Sequence, residues 1–370
     1  MPARKALHLL ALMDTTIVSG PLRQLVASLE DLRRDHAVAP QVMLCTRRGR
    51  DASPVRAFLD AHAIPMIHVE ENGRLDWRVL RRYRAQLRDP RIDIVQTHGY
   101  KPAVFVWLLR RLGSGRHLPW IAFFHGRTYE SRAIQLFDSL GILCSHEADR
   151  IVVVAGTQRR HFTARDPDVV HIPNALTTTP VTGAVPAGGD EGPIDLLAAG
   201  RLSHEKGFDV LLMAVDQLRQ RGRCLRVTLV GDGPERVALE RQIIERDLGL
   251  LVTMAGHQPS IAPWLQRARL VCLPSRTEGM PNVLLEALAA GVPVVATPVG
   301  DIPSVLTDDL GRLVPVADAH ALADAIIAEL DGPRGEAFQH ARNEFLARYD
   351  RQGRARRLRT LYDSVLTRVP

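Results

Sequence analysis

The sequence predicts an α/β protein built from two doubly wound parallel sheets. Short apolar runs alternate with helix-like segments along the chain, as they do when helices cover both faces of a parallel sheet. The alternation stops in residues 177–192, which are rich in proline, glycine and threonine, and then starts again. A chain of 370 residues with 46% hydrophobic residues is long enough for two ordinary domains. We therefore expect two Rossmann-like domains that face a central cleft and are joined by an interdomain linker.

The N-terminal domain is predicted to span residues 1–176. Its strands are expected at the apolar runs Ala6–Met13, Val42–Cys45, Ile92–Thr97, Pro119–Phe124, Arg150–Val154 and Val169–Ile172. Its helices are expected from Pro21 and over Pro54–His62 and Lys101–Leu112. The arginine-rich segment Asp76–Arg88 predicts a surface helix with Trp77, Leu80, Tyr83 and Leu87 along one side.

The C-terminal domain is predicted to span residues 193–345. Its strands are expected at Ile194–Ala199, Arg226–Val230, Val252–Ala255, Leu270–Leu273 and Val292–Ala296, and a helix is expected from Phe208. The segment Gly335–Pro370 is arginine-rich and helix-like, with Phe345, Tyr349, Leu358 and Leu361 as apolar anchors, and residues 346–370 are its predicted helical tail. We expect this tail to cross toward the N-terminal domain and pack on it.

Composition narrows the class of protein. No apolar run is long enough to span a membrane, and the N-terminal KALHLLALMD reaches an acid too early for a signal peptide, so we expect a cytoplasmic protein. The four cysteines lie far apart and mostly within apolar runs, which predicts buried, reduced thiols. A net charge of +7, carried by clustered arginines, favours an anionic partner.

Two segments leave membrane contact open. The helix predicted around Trp77 combines apolar residues with arginines, and PAVFVWLLRR around Trp107 is apolar enough to enter a membrane interface. Both segments equally suit ordinary helices, one solvated and one buried. Peripheral association with the inner face of the cell membrane is therefore one expectation. The sequence lacks the aromatic and basic arrangement of nucleic-acid readers, so no nucleic-acid partner is expected.

The segment from Pro274 to Gly300, PSRTEGMPNVLLEALAAGVPVVATPVG, predicts a ligand-binding turn between a strand and a helix. The helix is expected over Pro281–Ala290, with proline at its first position. The first-turn amides of Asn282 and Val283 favour a phosphate at this end. Glu278 and Glu286 flank that position, and carboxylates can accept hydrogen bonds from hydroxyl groups. A phosphate site between two acids therefore suggests a sugar nucleotide.

Two further loops of the second half follow predicted strands, where α/β sheets bind ligands. GRLSHEKG supplies Arg201 and Lys206, two cations spaced to grip adjacent phosphates, while Gly200 and Gly207 permit close backbone approach. With the helix start they describe a diphosphate clamp. VGDGP places Gly231 in a tight turn, for which we expect a secondary role on the base side of the nucleotide.

The first half offers weaker candidates at equivalent strand ends. FFHGR places His125 at the carboxyl edge of a strand, with Arg127 close behind it. THGYK places His98, Tyr100 and Lys101 at another such edge, and we expect them to contact an acceptor. Gly20 in the loop after the first strand and Asn174 in the turn Pro173-Asn174 complete this set.

Taken together, GRLSHEKG, VGDGP, the E-x7-E pair Glu278 and Glu286, and PNAL at Pro173 resemble the retaining glycosyltransferases of family 4 (glycosyl transferases group 1), which have a GT-B fold. The resemblance spans nearly the whole chain and is strongest over Ile194–Val305. It departs from the family after the first strand, where many relatives carry paired glycines and this chain has Ser19-Gly20-Pro21.

The resemblance implies roles for these residues. Arg201 and Lys206 would bind the nucleotide diphosphate, Glu286 the ribose, and Glu278 the donor sugar together with the backbone of Gly279, Met280, Pro281 and Asn282. His125 would touch that sugar from the opposite domain. His125, Glu278, Arg201 and Lys206 are thus the implied catalytic group. The family transfers sugar with retention and without a metal or other cofactor, so no metal site is expected.

The resulting expectation is a glycosyltransferase of the EC 2.4 class. It would move a hexosyl or pentosyl group from a UDP- or GDP-linked sugar to a glycan or lipid-linked glycan, in polysaccharide, lipopolysaccharide or glycolipid assembly. Two alternatives remain open at this stage. One is a nucleotide-sugar epimerase of the same fold, and the other is a non-catalytic, basic membrane-surface binding module.

Overall fold

The chain divides into two compact units. The computed structural model describes residues 6–73, 76–126, 132–162, 168–177, 192–332 and 335–367. The first unit comprises Met1–Thr177 together with Asp350–Pro370, and the second comprises Thr178–Tyr349. Each unit contains one all-parallel sheet, which confirms the predicted α/β class with two Rossmann-like domains.

The first unit is built on a seven-stranded sheet in the order β3-β2-β1-β4-β5-β6-β7. Its strands are β1 (Leu7–Asp14), β2 (Val38–Arg47), β3 (Met66–Glu71), β4 (Ile94–His98), β5 (Trp120–Phe124), β6 (Arg150–Val153) and β7 (Val169–His171). Its helices include α1 (Gly20–Asp35), α2 (Ser53–Ala61), α3 (Trp77–Gln86), α4 (Tyr100–Arg111) and α5 (Arg132–Ser145), with a 3-10 helix at Gly156–His161. The strand order reverses between β1 and β4, so the loops after these strands border the crevice where open α/β sheets bind ligands.

The second unit repeats the plan with a six-stranded sheet in the order β10-β9-β8-β11-β12-β13. Its strands are β8 (Ile194–Ala199), β9 (Val227–Val230), β10 (Val252–Gly256), β11 (Ala268–Leu273), β12 (Val294–Ala296) and β13 (Gly311–Leu313). Its helices are α6 (Phe208–Gln220), α7 (Arg236–Glu245), α8 (Ala262–Leu265), α9 (Asn282–Ala289), α10 (Ile302–Val305), α11 (Ala319–Asp331) and α12 (Glu336–Arg348), with a 3-10 turn at His204–Lys206. Here the order reverses between β8 and β11.

The C-terminal tail ends in α13 (Arg351–Leu366), which packs on α1 of the first unit. Asp350 caps this helix by accepting a hydrogen bond from the Gly353 amide at 2.9 Å, which is why α12 ends and a new helix begins. Arg351 donates to Asp31 of α1 at 2.9 Å. The four apolar anchors predicted for the tail are all buried: Phe345, Tyr349, Leu358 and Leu361.

Two strands that the sequence did not predict, β3 and β13, both lie at sheet edges. β3 has two buried positions among six residues, and β13 has one among three, so neither presents a continuous apolar run. Edge strands need less burial because one side faces no neighbouring strand. The helix α5 was also not predicted.

The buried stripe of α3 differs from the predicted one. Val79, Tyr83 and Leu87 face the core, whereas Trp77 is 64% exposed. The helix begins at Trp77 with Asp76 as its N-cap, and its buried face is formed by later residues, which leaves Trp77 outside that face. This part of the prediction was wrong, and an aromatic ring is left on the surface beside three arginines.

The cysteine prediction holds at three of four positions. Cys45, Cys144 and Cys272 are buried and free, but Cys224 is exposed in the loop after α6. That loop, RGRC, is polar up to the cysteine, so the local sequence offers no apolar run to bury it. Within the described ranges, no helix is both long and apolar enough to cross a membrane.

Candidate active site

Three loops of the second unit meet through backbone contacts that only glycine permits. Gly207, with φ 66°, begins α6, and a Cβ there would lie 2.1 Å from the Pro274 carbonyl oxygen. A Cβ at Gly231, with φ 146°, would lie 1.8 Å from the Gly200 carbonyl oxygen. The loops after β8, β9 and β11 are therefore packed backbone to backbone.

A lysine and a glutamate join two of these loops. The Lys206 ammonium donates to Glu278 Oε1 at 2.7 Å, and the Ser275 hydroxyl donates to the same oxygen at 2.7 Å. The Lys206 side chain is 25% exposed and that of Glu278 is 8% exposed. Hydrogen bonds to a charged acceptor are short and strong, so this pair fixes a cation at the mouth of the loops. The sequence analysis did not identify Ser275.

Helix α9 begins one residue later than predicted. Pro281 is the N-cap, with an extended ψ of 125°, and the helix runs over Asn282–Ala289. Asn282 therefore occupies the first helical position, where Pro281 was expected, and supplies the first amide of the helix. Asn282, Val283 and Glu286 are only partly buried and share the face of α9 that points away from its core side.

A residue missed by the sequence analysis, Arg276, ties the loop after β11 to the start of α6. It donates to both Asp209 carboxylate oxygens at 2.7 and 2.6 Å and to the His204 carbonyl at 2.9 Å. Although burial opposes it, the Arg276 hydrogen bond lowers the pKa of Asp209. Arg276 thus holds the turn that carries Lys206. No local spacing indicated this role, because Asp209 lies 67 residues from Arg276 in the sequence.

The second unit places all predicted donor-binding residues on these loops or on α9. They are Gly200, Arg201, Lys206, Gly231, Gly279, Met280, Pro281, Asn282, Val283 and Glu286. Arg201 is exposed and Met280 is buried. The Gly279 carbonyl accepts from the Asp301 amide at 2.9 Å, which anchors the loop before α9.

The first unit has its own cavity, of about 240 Å³, at the carboxyl ends of β1, β4 and β5. His98 and His125 line it, and the loops that follow these strands form its walls. His98 ends β4 and is 4% exposed, with its ring stacked on Phe123 at 4.6 Å between centroids. The cavity lies at the point where the strand order reverses, as expected for a ligand site.

Both histidines are held neutral. Burial, together with a smaller effect of the nearby Arg354 guanidinium, lowers the pKa of His125 to about 3. Burial likewise places the pKa of His98 well below its usual value, with His125 and Arg354 acting in the same direction. The two rings therefore offer hydrogen bonds without charge, which suits uncharged hydroxyl groups.

Lys101 lies at the start of α4 but is held by carboxylates of the sheet. Its ammonium contacts Glu71 and lies 3.3 Å from Asp14 Oδ2. Burial opposes the charge, yet the nearby Asp14 and Glu71 raise the pKa of Lys101. Burial raises the pKa of Asp14 against the opposing effect of Lys101.

The remaining predicted residues of the first unit are spread around this region. Tyr100 lines the cavity and stacks on Phe137 at 6.3 Å, whereas Asn174 is buried. Gly20 begins α1, which Ser19 caps by accepting from the Leu22 amide at 3.4 Å. Arg127 lies outside the described residues. Among those that are described, no group of three or more His, Cys, Asp or Glu side chains is arranged to hold a metal ion.

Two family models match the chain. The model described as glycosyltransferase family 4 matches residues 26–179, and the model described as glycosyl transferases group 1 matches residues 193–331. The phosphatidyl-myo-inositol mannosyltransferase of Mycobacterium leprae is 31% identical over 95% of this chain and 94% of its own length. The amylovoran biosynthesis glycosyltransferase AmsK of Erwinia amylovora is 36% identical over 39% of this chain. That match spans only 37% of the relative's length.

Solved structures share the fold. Anabaena HepE in complex with UDP superimposes with a TM-score of 0.76 at 17% identity, covering 97% of this chain and all of that one. Sucrose-phosphate synthase from Thermosynechococcus elongatus gives a TM-score of 0.77 at 20% identity, covering 98% and 99% of the two chains. These likenesses confirm the expected GT-B fold.

Proposed function

The chain belongs to glycosyltransferase family 4, and from this membership we propose that it moves a sugar from a UDP- or GDP-linked donor to a glycan or lipid-linked glycan. The observation that carries the proposal is the Lys206–Glu278 pair, 2.7 Å long, beside the start of α9. A cation, a carboxylate and a helix N-terminus are thereby gathered on loops at the switch point of the second sheet. The UDP complex of HepE supports the donor class, and the relatives named above support polysaccharide or glycolipid assembly.

Different residues of these loops bind different parts of the nucleotide sugar. Lys206 and Arg201 take the diphosphate, helped by the first-turn amides of α9. Glu286, on the same face of α9, accepts from the ribose hydroxyls. When the diphosphate binds, it competes with Glu278 for the Lys206 ammonium. Glu278 then keeps its hydrogen bond from Ser275 and accepts from the hydroxyls of the sugar.

We propose that transfer proceeds with retention, as the family resemblance implies, and that protein groups rather than a metal stabilise the charge that develops. As the bond between sugar and diphosphate breaks, negative charge grows on the leaving phosphate oxygen. Lys206, Arg201 and the start of α9 stabilise that charge, and one such group is typically worth about 10²–10³ in kcat. In the front-face mechanism that we propose, the leaving oxygen also takes the proton of the acceptor hydroxyl.

The test combines three site variants with a matched control. Arg201→Ala, Lys206→Ala and Glu278→Ala should each lose transfer by about a hundredfold or more, while the control Arg223→Ala should not. Arg223 is a suitable control because it pairs with Asp331 on a remote surface of the same unit. Full activity in all three site variants would overturn the assignment.

The same assay decides the finer parts of the proposal. The anomeric signal of the first product formed, followed by NMR, should show retention, and an excess of EDTA should leave the rate unchanged. An inverted product or a loss of rate in EDTA would contradict those parts separately. Turnover of the donor without a glycoside product would instead favour an epimerase.

We further propose that the first unit docks on anionic membrane surfaces through α3. A groove of about 750 Å³ runs between the edge strand β3 and α3, lined by Trp77, Arg78, Arg81 and Arg82. Arg81 and Arg82 are exposed and form no ion pair with a described residue, although Glu70 of β3 lines the same groove. An exposed ring beside exposed arginines suits a headgroup layer, where each basic residue is worth about 1 kcal/mol. By contrast, Trp107 of α4 packs partly against the core.

Vesicle binding tests the membrane proposal. Arg81→Glu/Arg82→Glu should abolish sedimentation with anionic vesicles at low salt, and binding of the unchanged protein should fall as salt rises. The control Arg84→Glu/Arg241→Glu carries the same charge change at exposed sites outside the groove and should retain most binding. Equal recovery on neutral and anionic vesicles would contradict the proposal.

A further inference from the structure

The two histidines of the first unit form a coupled pair. His98 ends β4, and His125 directly follows the neighbouring strand β5. Their rings are stacked at 5.2 Å between centroids with an interplanar angle of 22°. His98 Nδ1 lies 2.9 Å from His125 Nε2. At this distance one nitrogen carries the proton and the other accepts it.

The surroundings of His98 decide which nitrogen carries the proton. Its other nitrogen, Nε2, is shielded from solvent and has no hydrogen-bond partner among the described residues. If His125 were the donor, the proton of neutral His98 would have to sit on that isolated Nε2. Buried N–H groups without an acceptor are rarer than buried acceptors without a donor, so the proton belongs on His98 Nδ1.

We propose that His98 is a positioning residue that sets the tautomer of His125. His98 donates from Nδ1 to His125 Nε2, so neutral His125 carries its own proton on Nδ1. That nitrogen forms no hydrogen bond with a described residue, and the ring lines the cavity of the first unit. His125 therefore offers a neutral N–H to an oxygen of the sugar substrate. This inference rests on the proposed function for its substrate but not for its tautomer.

The alternative protonation states are disfavoured by the same neighbourhood. Arg354 of α13 is the charged side chain that acts on both rings, and it is buried, donating to the Ser28 hydroxyl at 3.1 Å and to backbone carbonyls of residues 172 and 173. The carboxyl groups of Asp14 and Asp138 also line the cavity. The charge of Arg354 opposes protonation of both rings, as burial does. A tautomer fixed by His98 consequently persists across the neutral range.

The direct test is NMR of the full chain with 15N-labelled histidine. Two-bond 1H–15N correlations distinguish protonated from unprotonated ring nitrogens, and the spectrum of His125→Gln assigns the His125 signals. At pH 7 we expect a protonated Nδ1 and an unprotonated Nε2 in His125. A protonated Nε2 in His125 would overturn the proposal. No variant of His98 has to fold for this result.

Two substitutions of His98 add a kinetic test. His98→Asn keeps an N–H near the position of Nδ1 and should retain kcat within about threefold of the unchanged protein. His98→Asp offers only acceptors, so His125 should turn its proton to Nε2 and kcat should fall by about ten- to a hundredfold. Equal kcat in both variants would contradict a role through the tautomer.

Nucleotide binding separates the two levels of inference. UDP or GDP affinity depends on residues of the second unit and should be unchanged in both His98 variants. If the chain bound no nucleotide and transferred no sugar, the proposed function would fail while the NMR result still decided the tautomer. If binding and transfer were normal but His125 carried its proton on Nε2, only the role of His98 would fail.

Discussion

Each unit of the chain holds a lysine against carboxylates beside the switch point of its sheet, and the two lysines differ in their surroundings. In the first unit, Lys101 is 11% exposed and is placed between Asp14 and Glu71. In the second unit, Lys206 is 25% exposed and forms its ion pair with Glu278. Lys101 therefore contacts two carboxylates, whereas Lys206 contacts one and is more exposed to solvent.

This difference shows how one topology can support two kinds of chemistry. A cation that is compensated twice within the fold has little left to offer an anionic ligand, and it mainly supports packing. A partly exposed cation beside a helix N-terminus can exchange its carboxylate partner for a phosphate. The first unit instead presents neutral His125, hydrogen-bonded to neutral His98, to its cavity, which suits a ligand that carries hydroxyl groups rather than charge.

The largest expected effect is on stability, from Lys101→Met. This change leaves Asp14 and Glu71 together without their cation and should lower the free energy of unfolding by about 3–5 kcal/mol. Nucleotide affinity should stay unchanged where the protein is folded. Urea denaturation of both Lys101→Met and Lys206→Met measures the contrast. Replacing Lys206, which is more exposed, should lower the free energy of unfolding much less. Equal losses in the two variants would remove the distinction between the two lysines.

The next effect is on transfer, from Glu278→Gln. The amide keeps the shape but frees Lys206 of its carboxylate, so UDP or GDP should bind as tightly as before or more tightly. Transfer should still fall about 10²–10³-fold, because the carboxylate that orients the sugar is lost. Titration calorimetry and initial rates measure the two halves of this prediction. A parallel loss of binding and transfer would show that Glu278 acts mainly by placing Lys206.

A smaller effect on stability distinguishes two costs of replacing a glycine. One is the strain of a positive φ, and the other is a clash between the new Cβ and a neighbouring loop. Gly207 and Gly222 both have positive φ, but a Cβ would strike the Pro274 oxygen only at Gly207, while Gly222 has open space within 4 Å. We expect Gly222→Ala to cost about 1 kcal/mol and Gly207→Ala at least about 2 kcal/mol more, with weaker nucleotide binding. Thermal unfolding of both variants measures this. Equal costs would mean that the loops are not packed as described.

The smallest effect is a pH dependence confined to the first unit. His98 and His125 bind protons less well when folded, with the pKa of His125 lowered from 6.5 to about 3. Below pH 6.5 the unfolded chain therefore binds more protons, and stability falls as pH decreases. The loss should average about 1 kcal/mol per pH unit between pH 7 and pH 5 for each histidine. Urea denaturation at pH 7 and pH 5 should show a shallower slope in His125→Gln, and an unchanged slope would contradict the assignment.

The sequence predicted the architecture because both sheets are built on long buried runs. β1 and β8 are apolar almost throughout, and their helices follow at regular intervals. β3 and β13 escaped prediction because edge strands bury fewer residues. Trp77 was placed on the wrong side of its helix because hydrophobic spacing alone does not show where a helix starts.

The clamp residues could be proposed from sequence because each stands in a short local motif. Arg276 could not, because its partner Asp209 lies 67 residues away and no local spacing relates the two. The ion pair of Lys101 could not be predicted for the same reason, because its partner Glu71 lies 30 residues away on a strand that the sequence did not predict. Long-range pairs of this kind depend on topology, which fixes which loops meet at a sheet edge.

Isothermal titration with UDP, GDP and ADP tests the central claim most directly. It should be run with and without magnesium, on the unchanged protein and on Lys206→Ala. The account predicts that one nucleotide binds without the metal and that this binding is lost in the variant. If a folded sample binds none of the three, or if Lys206→Ala binds equally well, the diphosphate clamp of the second unit is contradicted.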